Sequence, residues 1–347
     1  MDVYHITSRK RETYEIRLEY SLLWECALGI AAVTNKRLIN TLEKPQKYWE
    51  KLRGSFSKGL QNELKIVEEK NTWKSLLLLL HQKDFSDITE FSSFIHKLSD
   101  EEIRYICIPY IGYKHNDVRK NAAQGDILAI SKMKNLTKDN PFFPDYIEFV
   151  SHVEVNYLKD HLVGVLKSWY EEFLKKDEST INSYLKTDYD AKNKMVVGME
   201  PEEFIEWATG GVAYLPEPTV NTVLLIPQYV YRPWNIEADI EGTKVFYYPI
   251  ANESIYPNDR YSPSNSLILK YKALGDEVRL RIIKLLAEKE LSLQEITNEL
   301  GLGKTTIHHH LKILRSANLV EVKKLKYRLK INAITSLPKE LEQYLNN

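Results

Sequence analysis

The stretch Leu291–Leu314 reads LSLQEITNELGLGKTTIHHHLKIL and contains the clearest structural signals of the chain. Ser292 followed by Glu295 is a capping box, in which each side chain satisfies a free backbone donor at the start of a helix. Gly301 stands where that helix must end, because a left-handed residue is easiest there. A tight turn from Gly301 to Gly303 then leads into a second helix. Two short helices joined by a glycine turn predict a helix-turn-helix.

The second helix of the motif is predicted to have one buried face and one polar face. Ile307, Leu311 and Leu314 recur at i, i+4 and i+7, so they must face the core. The opposite face is then free to contact phosphates or base edges of duplex DNA. With the first helix and the segment that follows, the predicted DNA-contacting residues are Ser292, Gln294, Lys304, Thr305, Thr306, His308, His309, Lys312, Lys323, Lys324 and Lys326.

The segments on either side of this motif extend the pattern. Asp276 is placed to cap a preceding helix. The apolar stripe of that helix consists of Val278, Ile282, Leu285 and Leu286. Two period-2 strands are predicted after the motif, with apolar residues at Val320, Val322, Tyr327, Leu329 and Ile331. The turn between them is rich in lysine, which predicts a basic wing, and residues 303–330 hold eight Lys/Arg against one acidic residue. That excess suits the neutralisation of phosphates.

These residues resemble the winged helix of the ArsR family of bacterial repressors. The resemblance lies in four short stretches: Leu274–Asp276 with Arg279–Ile282, Glu299–Leu302, His309–Lys312, and Leu314–Arg315. It covers roughly the last quarter of the chain and implies a dimer whose recognition helix enters the major groove. Metal-sensing members bind ions through a Glu-Leu-Cys-Val-Cys motif, which reads Glu290–Gln294 here with Ser292 and Gln294 in place of the cysteines. We therefore expect no metal site and no metal effector.

The three consecutive histidines do not change the expectation about metals. Consecutive residues of a helix point about 100° apart, so His308, His309 and His310 cannot converge on one ion. His310 lies nearest the buried face and is expected to be partly buried. His308 and His309 face outward and are expected to contact DNA.

The chain of 347 residues is too long for one winged helix, so at least two domains are expected. We predict a mostly helical sensor or dimerisation domain over 1–256, a polar Pro/Ser-rich linker over 257–266, and a winged helix-turn-helix with a C-terminal helix over 267–347. Lysines and arginines number 48, as do acidic residues, but residues 267–347 carry 15 of the former and 9 of the latter. The first part is thus acidic and the last part basic.

The N-terminal region is predicted to be mainly α-helical and closed by a small sheet. Alternation over 14–20 predicts one strand, and 219–231 and 243–250 predict two more, with a proline at 227 that suits an edge or a bulge. Helices are predicted over 22–33, 44–69, 73–81, 85–98, 100–111, 117–133 and 146–175. The region resembles the uncharacterised domain that precedes the winged helix in some long ArsR-type regulators. Aromatic residues cluster near its strands, which fits a sheet packed on helices or an amphipathic pocket for an organic effector.

The sequence has no pattern typical of catalysis. No Gly-x-Ser-x-Gly elbow appears, and neither Cys26 nor Cys107 has a readable catalytic partner. With no secretory signal and no long apolar run, we expect a cytoplasmic protein that is not an enzyme, needs no cofactor and contacts no membrane. The expected function is a dimeric transcriptional regulator with a non-metal effector, and the resemblance implies that it is a repressor. An enzyme or a protein-interaction domain fused to a DNA-binding module is the alternative.

The last helix leaves the source of the dimer interface open. Leu337, Leu341, Tyr344 and Leu345 form one apolar stripe. This stripe is expected to pack either against the same helix of a second subunit or on the chain's own winged helix.

Overall fold

The computed structural model describes residues 13–257, 259, 261–323 and 325–346, and its N-terminal region is mainly helical. The helices of this region are α1 Leu22–Thr34, α2 Gln46–Ser55, α3 Lys58–Lys70, α4 Trp73–Leu80, α5 Ile88–Lys97, α6 Asp100–Cys107, α7 Asn116–Ala123, α8 Ile127–Leu136, α9 Phe143–His152, α10 Val155–Trp169, α11 Glu178–Met195, α12 Pro201–Ala208 and α13 Asn252–Ile255. None of the helices described is long and apolar enough to span a membrane.

Several helical stretches that the sequence predicts as continuous are divided. Residues 44–69 form α2 and α3, because Ser57 caps the second helix by accepting from the Leu60 amide at 3.2 Å. Residues 117–133 fall in α7 and α8. Gly125 separates them with φ +91°, and Asp126 caps α8. In each case a local capping signal ends one helix and begins the next.

Helix α1 lies at the centre of the N-terminal core. Every residue from Leu23 to Thr34 is buried, and the helix packs against α3, α4 and α10. Gly29 permits the close approach of α10, since a Cβ at this position would lie 2.7 Å from Cζ2 of Trp169. A helix that is buried on all sides and almost entirely apolar has to be enclosed by other elements.

A four-stranded sheet closes the region, in the order β1-β2-β4-β3. Its strands are β1 Glu15–Leu18, β2 Thr222–Gln228, β3 Ile236–Ile240 and β4 Thr243–Pro249. The strand that alternation over 14–20 predicts is present as β1, which joins this sheet and runs parallel to β2. Strand β3 was missed, although Ile236, Ala238 and Ile240 alternate with acidic residues as an edge strand should. It pairs with β4 through a turn at Gly242.

Pro227 lies inside the central strand β2, where a proline is unusual. Strand β1 ends at Leu18, opposite Leu225, so beyond that point β2 has a neighbour only on the β4 side. Pro227 is therefore at a local edge, which is one of the two placements, edge or bulge, that the sequence suggested.

The C-terminal region has a separate core, which includes Ile282, Ile296, Ile307, Leu311 and Leu314. Its helices are α14 Asn265–Leu274, α15 Glu277–Glu288, α16 Leu293–Leu300, α17 Lys304–Ser316, α18 Ile331–Thr335 and α19 Leu337–Asn346. Its strands are β5 Leu291–Ser292, β6 Val320–Lys323 and β7 Lys326–Leu329. The predicted fold class, a mainly helical chain with small sheets and a winged helix-turn-helix, is confirmed.

Three details of this region differ from the prediction or refine it. Ile331 was assigned to the second wing strand but begins α18 and is 56% exposed. Strand β5 was not predicted, because two residues are too few to show a period. It pairs with β7. Ser264 caps α14, so this helix includes the last two residues of the predicted linker 257–266. The domain boundaries themselves stay a prediction.

Helix α19 packs on α14 of the same chain. Nζ of Lys270, a buried side chain, lies 2.7 Å from Oε1 of Glu340, and the Tyr344 hydroxyl donates to the Tyr261 carbonyl at 2.8 Å. Leu337 is buried, whereas Leu345 is 71% exposed. Helix α19 thus packs on the winged helix of its own chain, and the end of its apolar stripe at Leu345 is exposed to solvent.

Candidate nucleic-acid interface

The helix-turn-helix forms through the local signals that the sequence contains. The Ser292 amide donates to Oε2 of Glu295 at 2.7 Å, and the Glu295 amide donates to Oγ of Ser292 at 3.3 Å. Gly301 ends α16 in the left-handed region with φ +64°, and Gly303 precedes α17. These features fix the angle between the two helices and therefore the direction in which α17 faces.

Helix α17 has the two faces that its spacing predicts. Ile307, Leu311 and Leu314 have no solvent exposure and pack between α14, α15 and α16. The predicted residues that are exposed on α17 are Lys304, Thr305, Thr306, His308 and His309. The structure therefore brings these five side chains together on one solvent-facing surface.

The three histidines have different environments. Nδ1 of His310 lies 3.6 Å from Oδ1 of Asp276, and His310 is half-buried against α15, as predicted. Burial, with the charges of Lys312 and Arg315 nearby, lowers the pKa of His308. A neutral imidazole both donates and accepts a hydrogen bond, which suits contact with a base edge better than with a phosphate. Among the residues that the structure describes, no group of three His, Cys, Asp or Glu side chains is placed to hold a metal ion.

The residues predicted on α16 are less available than those on α17. The Ser292 hydroxyl is held in the capping box and the residue is half-buried. Nε2 of Gln294 donates to Oδ1 of Asn298 at 2.9 Å, on an exposed surface. Both stay predictions as DNA contacts. Gln294 is the more accessible of the two, because it is exposed and Ser292 is half-buried.

The wing is a short antiparallel hairpin of β6 and β7. Lys323 and Lys326 are exposed and lie directly opposite each other in the ladder, whereas Lys324 is outside the described residues. Like charges in this arrangement repel each other, and a phosphate placed between them would relieve the repulsion. Tyr327 is buried under the hairpin and fixes it to the core.

Arg315 was not among the predicted contacts and belongs to the same surface. It is exposed on α17 and lies seven residues after His308, which places the two side chains on one face of the helix. This i, i+7 spacing was the signal in the sequence that would have identified it.

The interface also contacts the N-terminal region. Nζ of Lys312 donates to the Arg37 carbonyl at 2.9 Å, beside the short 3₁₀ helix Ile39–Thr41. Nδ2 of Asn318, at the end of α17, donates to the Gly210 carbonyl at 2.7 Å. Lys312 is half-buried by this contact, and burial lowers its pKa. Of the side chains predicted on α17, it is the one held by the rest of the chain.

Comparison with known proteins agrees with this geometry. The family described as bacterial regulatory protein, arsR family, matches residues 276–322. An uncharacterized HTH-type transcriptional regulator of Methanocaldococcus jannaschii is 46% identical over 55 residues, which are 16% of this chain and 62% of that protein. A second uncharacterized HTH-type transcriptional regulator, from Bacillus subtilis, is 45% identical over 56 residues, which are 16% of this chain and 56% of that protein.

These matches are confined to the C-terminal region. The chain matches less than two thirds of the length of either relative. No solved structure shows a significant match to the chain. The capping box, the glycine turn, the exposed face of α17 and the hairpin all lie within or beside the segment 276–322, which matches the arsR family of bacterial regulatory proteins.

Proposed function

We propose that this protein is a transcriptional regulator that binds operator DNA through α17 and the wing. The observation that carries the proposal is the surface of α17 opposite Ile307, Leu311 and Leu314, where threonine, histidine and lysine side chains face solvent beside a basic hairpin. An α-helix with such a face fits the major groove, and the lysines of the hairpin supply attraction to phosphates.

The finer assignments within this surface follow from the type of each side chain. Thr305, Thr306, His308 and His309 are proposed to approach base edges, because they offer short, directed hydrogen bonds. Lys304, Lys312 and the wing lysines are proposed to bind phosphates, which they recognise as point charges. Lys312 has to leave the Arg37 carbonyl before it reaches a phosphate.

We further propose that the protein represses transcription, acts as a dimer and responds to a non-metal effector. A dimer places two recognition helices on half-sites about one DNA turn apart, which raises specificity beyond that of one module. Support for a non-metal effector comes from Ser292 and Gln294, which stand where metal-sensing relatives have thiolates. The N-terminal region is proposed to sense the effector or to form the dimer, rather than to catalyse a reaction.

The test begins with selection of a preferred duplex from a random pool by the full chain. Affinity is then measured for that duplex and for a random one over a series of salt concentrations. His309→Ala should cost about 1–3 kcal/mol on the preferred duplex and little on the random one. Lys326→Ala should weaken both duplexes alike and reduce the salt slope by about one.

Lys284→Ala is the matched control, since Lys284 is an exposed lysine on α15 and outside the proposed surface. It should leave both affinities nearly unchanged. Equal losses on the two duplexes for His309→Ala would exclude a base-reading role. Failure of the wild-type chain to select any duplex would refute the proposed function as a whole.

A further inference from the structure

The N-terminal region contains a cavity of about 520 Å³ that the DNA-binding surface does not use. It opens between α4, the segment 109–112, the start of α9 and the edge of the sheet at β3 and β4. This volume lies within the range of about 300–1,000 Å³ that is usual for small-molecule sites. A second cavity, near Trp49 and Tyr229, measures about 20 Å³ and has room for roughly one water.

Lys74 lines the cavity on the α4 side and is a cation that no carboxylate of the described residues neutralises. Nζ of Lys74 lies 4.3 Å from the ring centroid of Trp73, 4.5 Å from that of Phe143 and 5.2 Å from that of Phe142. No carboxylate of the described residues forms an ion pair with it, and burial lowers the pKa of Lys74 to about 8. Aromatic rings replace only part of the stabilisation that an ammonium group loses when it leaves water. An anion beside Lys74 would supply the rest.

The part of the lining formed by the sheet edge and the loop before it has the reverse charge. Glu217, Glu237 and Asp239 line it with a single cation, Lys244, whose Nζ lies 3.0 Å from Glu237 and 3.1 Å from Asp239. Three carboxylates against one ammonium repel a second negative charge on a ligand. They accept hydrogen bonds from hydroxyl or amine groups instead.

Apolar side chains also line the cavity, among them Leu77, Leu78, Val220 and Ile236. His81 lines the same cavity and bonds to the Tyr247 hydroxyl, and burial lowers the pKa of His81 to about 4. A neutral His81 adds no charge to this lining.

We propose that this cavity binds a small organic monocarboxylate with an apolar or aromatic body, its carboxylate beside Lys74 and any hydrogen-bond donors toward the acidic wall. The single ammonium of Lys74 favours one negative charge on the ligand, and the acidic wall disfavours a phosphate dianion. The aliphatic side chains of the lining favour a body of carbon rather than a sugar.

A short chain of contacts links this site to α17. The Phe142 ring that lies under Lys74 also lies 5.3 Å from the Arg37 guanidinium. The carbonyl of the same Arg37 accepts the hydrogen bond from Lys312 on α17. A carboxylate that draws Lys74 away from Phe142 therefore acts on the ring that supports the contact of the DNA-binding helix. This regulatory half of the inference rests on the proposed function, whereas the binding site does not.

The binding experiment uses the full chain and a panel of butyrate, hexanoate, benzoate, phenylacetate and indole-3-acetate, each with its primary amide, together with phenyl phosphate. Thermal shift and calorimetry at neutral pH are compared for wild type, Lys74→Met and Lys70→Met. Lys70 is the matched control, because it is an exposed lysine whose Nζ lies 5.8 Å from the Phe149 ring and which does not line the cavity.

At least one acid should bind both wild type and Lys70→Met, and its primary amide should bind at least about ten-fold more weakly. The affinity of Lys74→Met for the same acid should be at least about ten-fold lower than that of wild type. The same acid should slow the labelling of Lys74 in wild type by an amine reagent, as followed by mass spectrometry. This measurement needs no variant. The site is overturned if no acid binds, if acid and amide bind alike, if Lys74→Met binds normally, or if phenyl phosphate binds more tightly.

The regulatory link is tested by measuring affinity for the selected duplex with and without saturating acid. We expect a change of at least about five-fold, the lower end of usual coupling between sites. An unchanged affinity would overturn the link through Phe142 and Arg37. Binding of the acid by a chain that binds no DNA would refute the proposed function and leave the site standing, so the two failures are distinguishable.

Discussion

Glu25 provides a quantitative test of the N-terminal fold, because it is an acidic residue inside the most buried helix. It is 3% exposed in the first turn of α1. One carboxylate oxygen, Oε2, accepts from the Tyr229 amide at 3.0 Å, and the other is buried without a hydrogen-bond partner. Burial raises the pKa of Glu25 to about 7, against an ordinary value of 4.5, although the backbone amides of Tyr229 and Val230 oppose the shift.

The direction of the effect on stability follows from these two pKa values. Below about pH 4.5 Glu25 is protonated in both states, and the folded state pays no cost of ionisation. Between pH 4.5 and about 7 the unfolded chain releases the proton while the folded chain retains it, so the free energy of unfolding falls as the pH rises. At about 1.4 kcal/mol per pKa unit, the loss is complete above pH 7 and amounts to roughly 3 kcal/mol.

Glu25→Gln should remove this dependence. Its amide oxygen retains the acceptor for the Tyr229 amide and cannot ionise, so the variant should match wild type near pH 4 and exceed it by up to roughly 3 kcal/mol at pH 8. Urea unfolding followed by tryptophan fluorescence measures the right region, because all six tryptophans precede residue 235. Glu69→Gln, at an exposed position of α3, is the control. A stability difference between Glu25→Gln and wild type that does not change with pH would refute the reasoning.

Two further predictions concern assembly and packing. Leu345→Asp, at the uncovered end of the α19 stripe, should yield folded monomers by sedimentation while Leu215→Asp, on an exposed loop, leaves the dimer intact. A dimer that persists in Leu345→Asp would place the interface elsewhere. Gly29→Ala should lower the free energy of unfolding by about 1–3 kcal/mol, because its Cβ would lie 2.7 Å from Trp169. Gly164→Ala on α10, with nothing within 4 Å, should be neutral or stabilising, and an equal loss in both variants would contradict the packing argument.

The DNA-binding region could be predicted from the sequence alone, because its signals are local. The capping box of Ser292 and Glu295, the left-handed Gly301 and the recurrence of Ile307 and Leu311 each act within a few residues. Such signals are readable without knowledge of the rest of the chain. The strand at β1 and most helices of the N-terminal region were predicted for the same reason, with errors where a cap such as Asp126 divides a continuous stretch.

Contacts between residues far apart in the sequence could not be predicted and are known from the three-dimensional structure. Lys74, Phe142 and Arg37 are separated by tens of residues, and nothing in their local sequence indicates that two cations share one ring. The contact of Lys312 with the Arg37 carbonyl spans 275 residues. A residue's spacing shows which face of its helix it occupies, but the partner of that face depends on the packing of the whole chain. The cavity and its charges arise at that level, because each of its walls comes from a different part of the sequence.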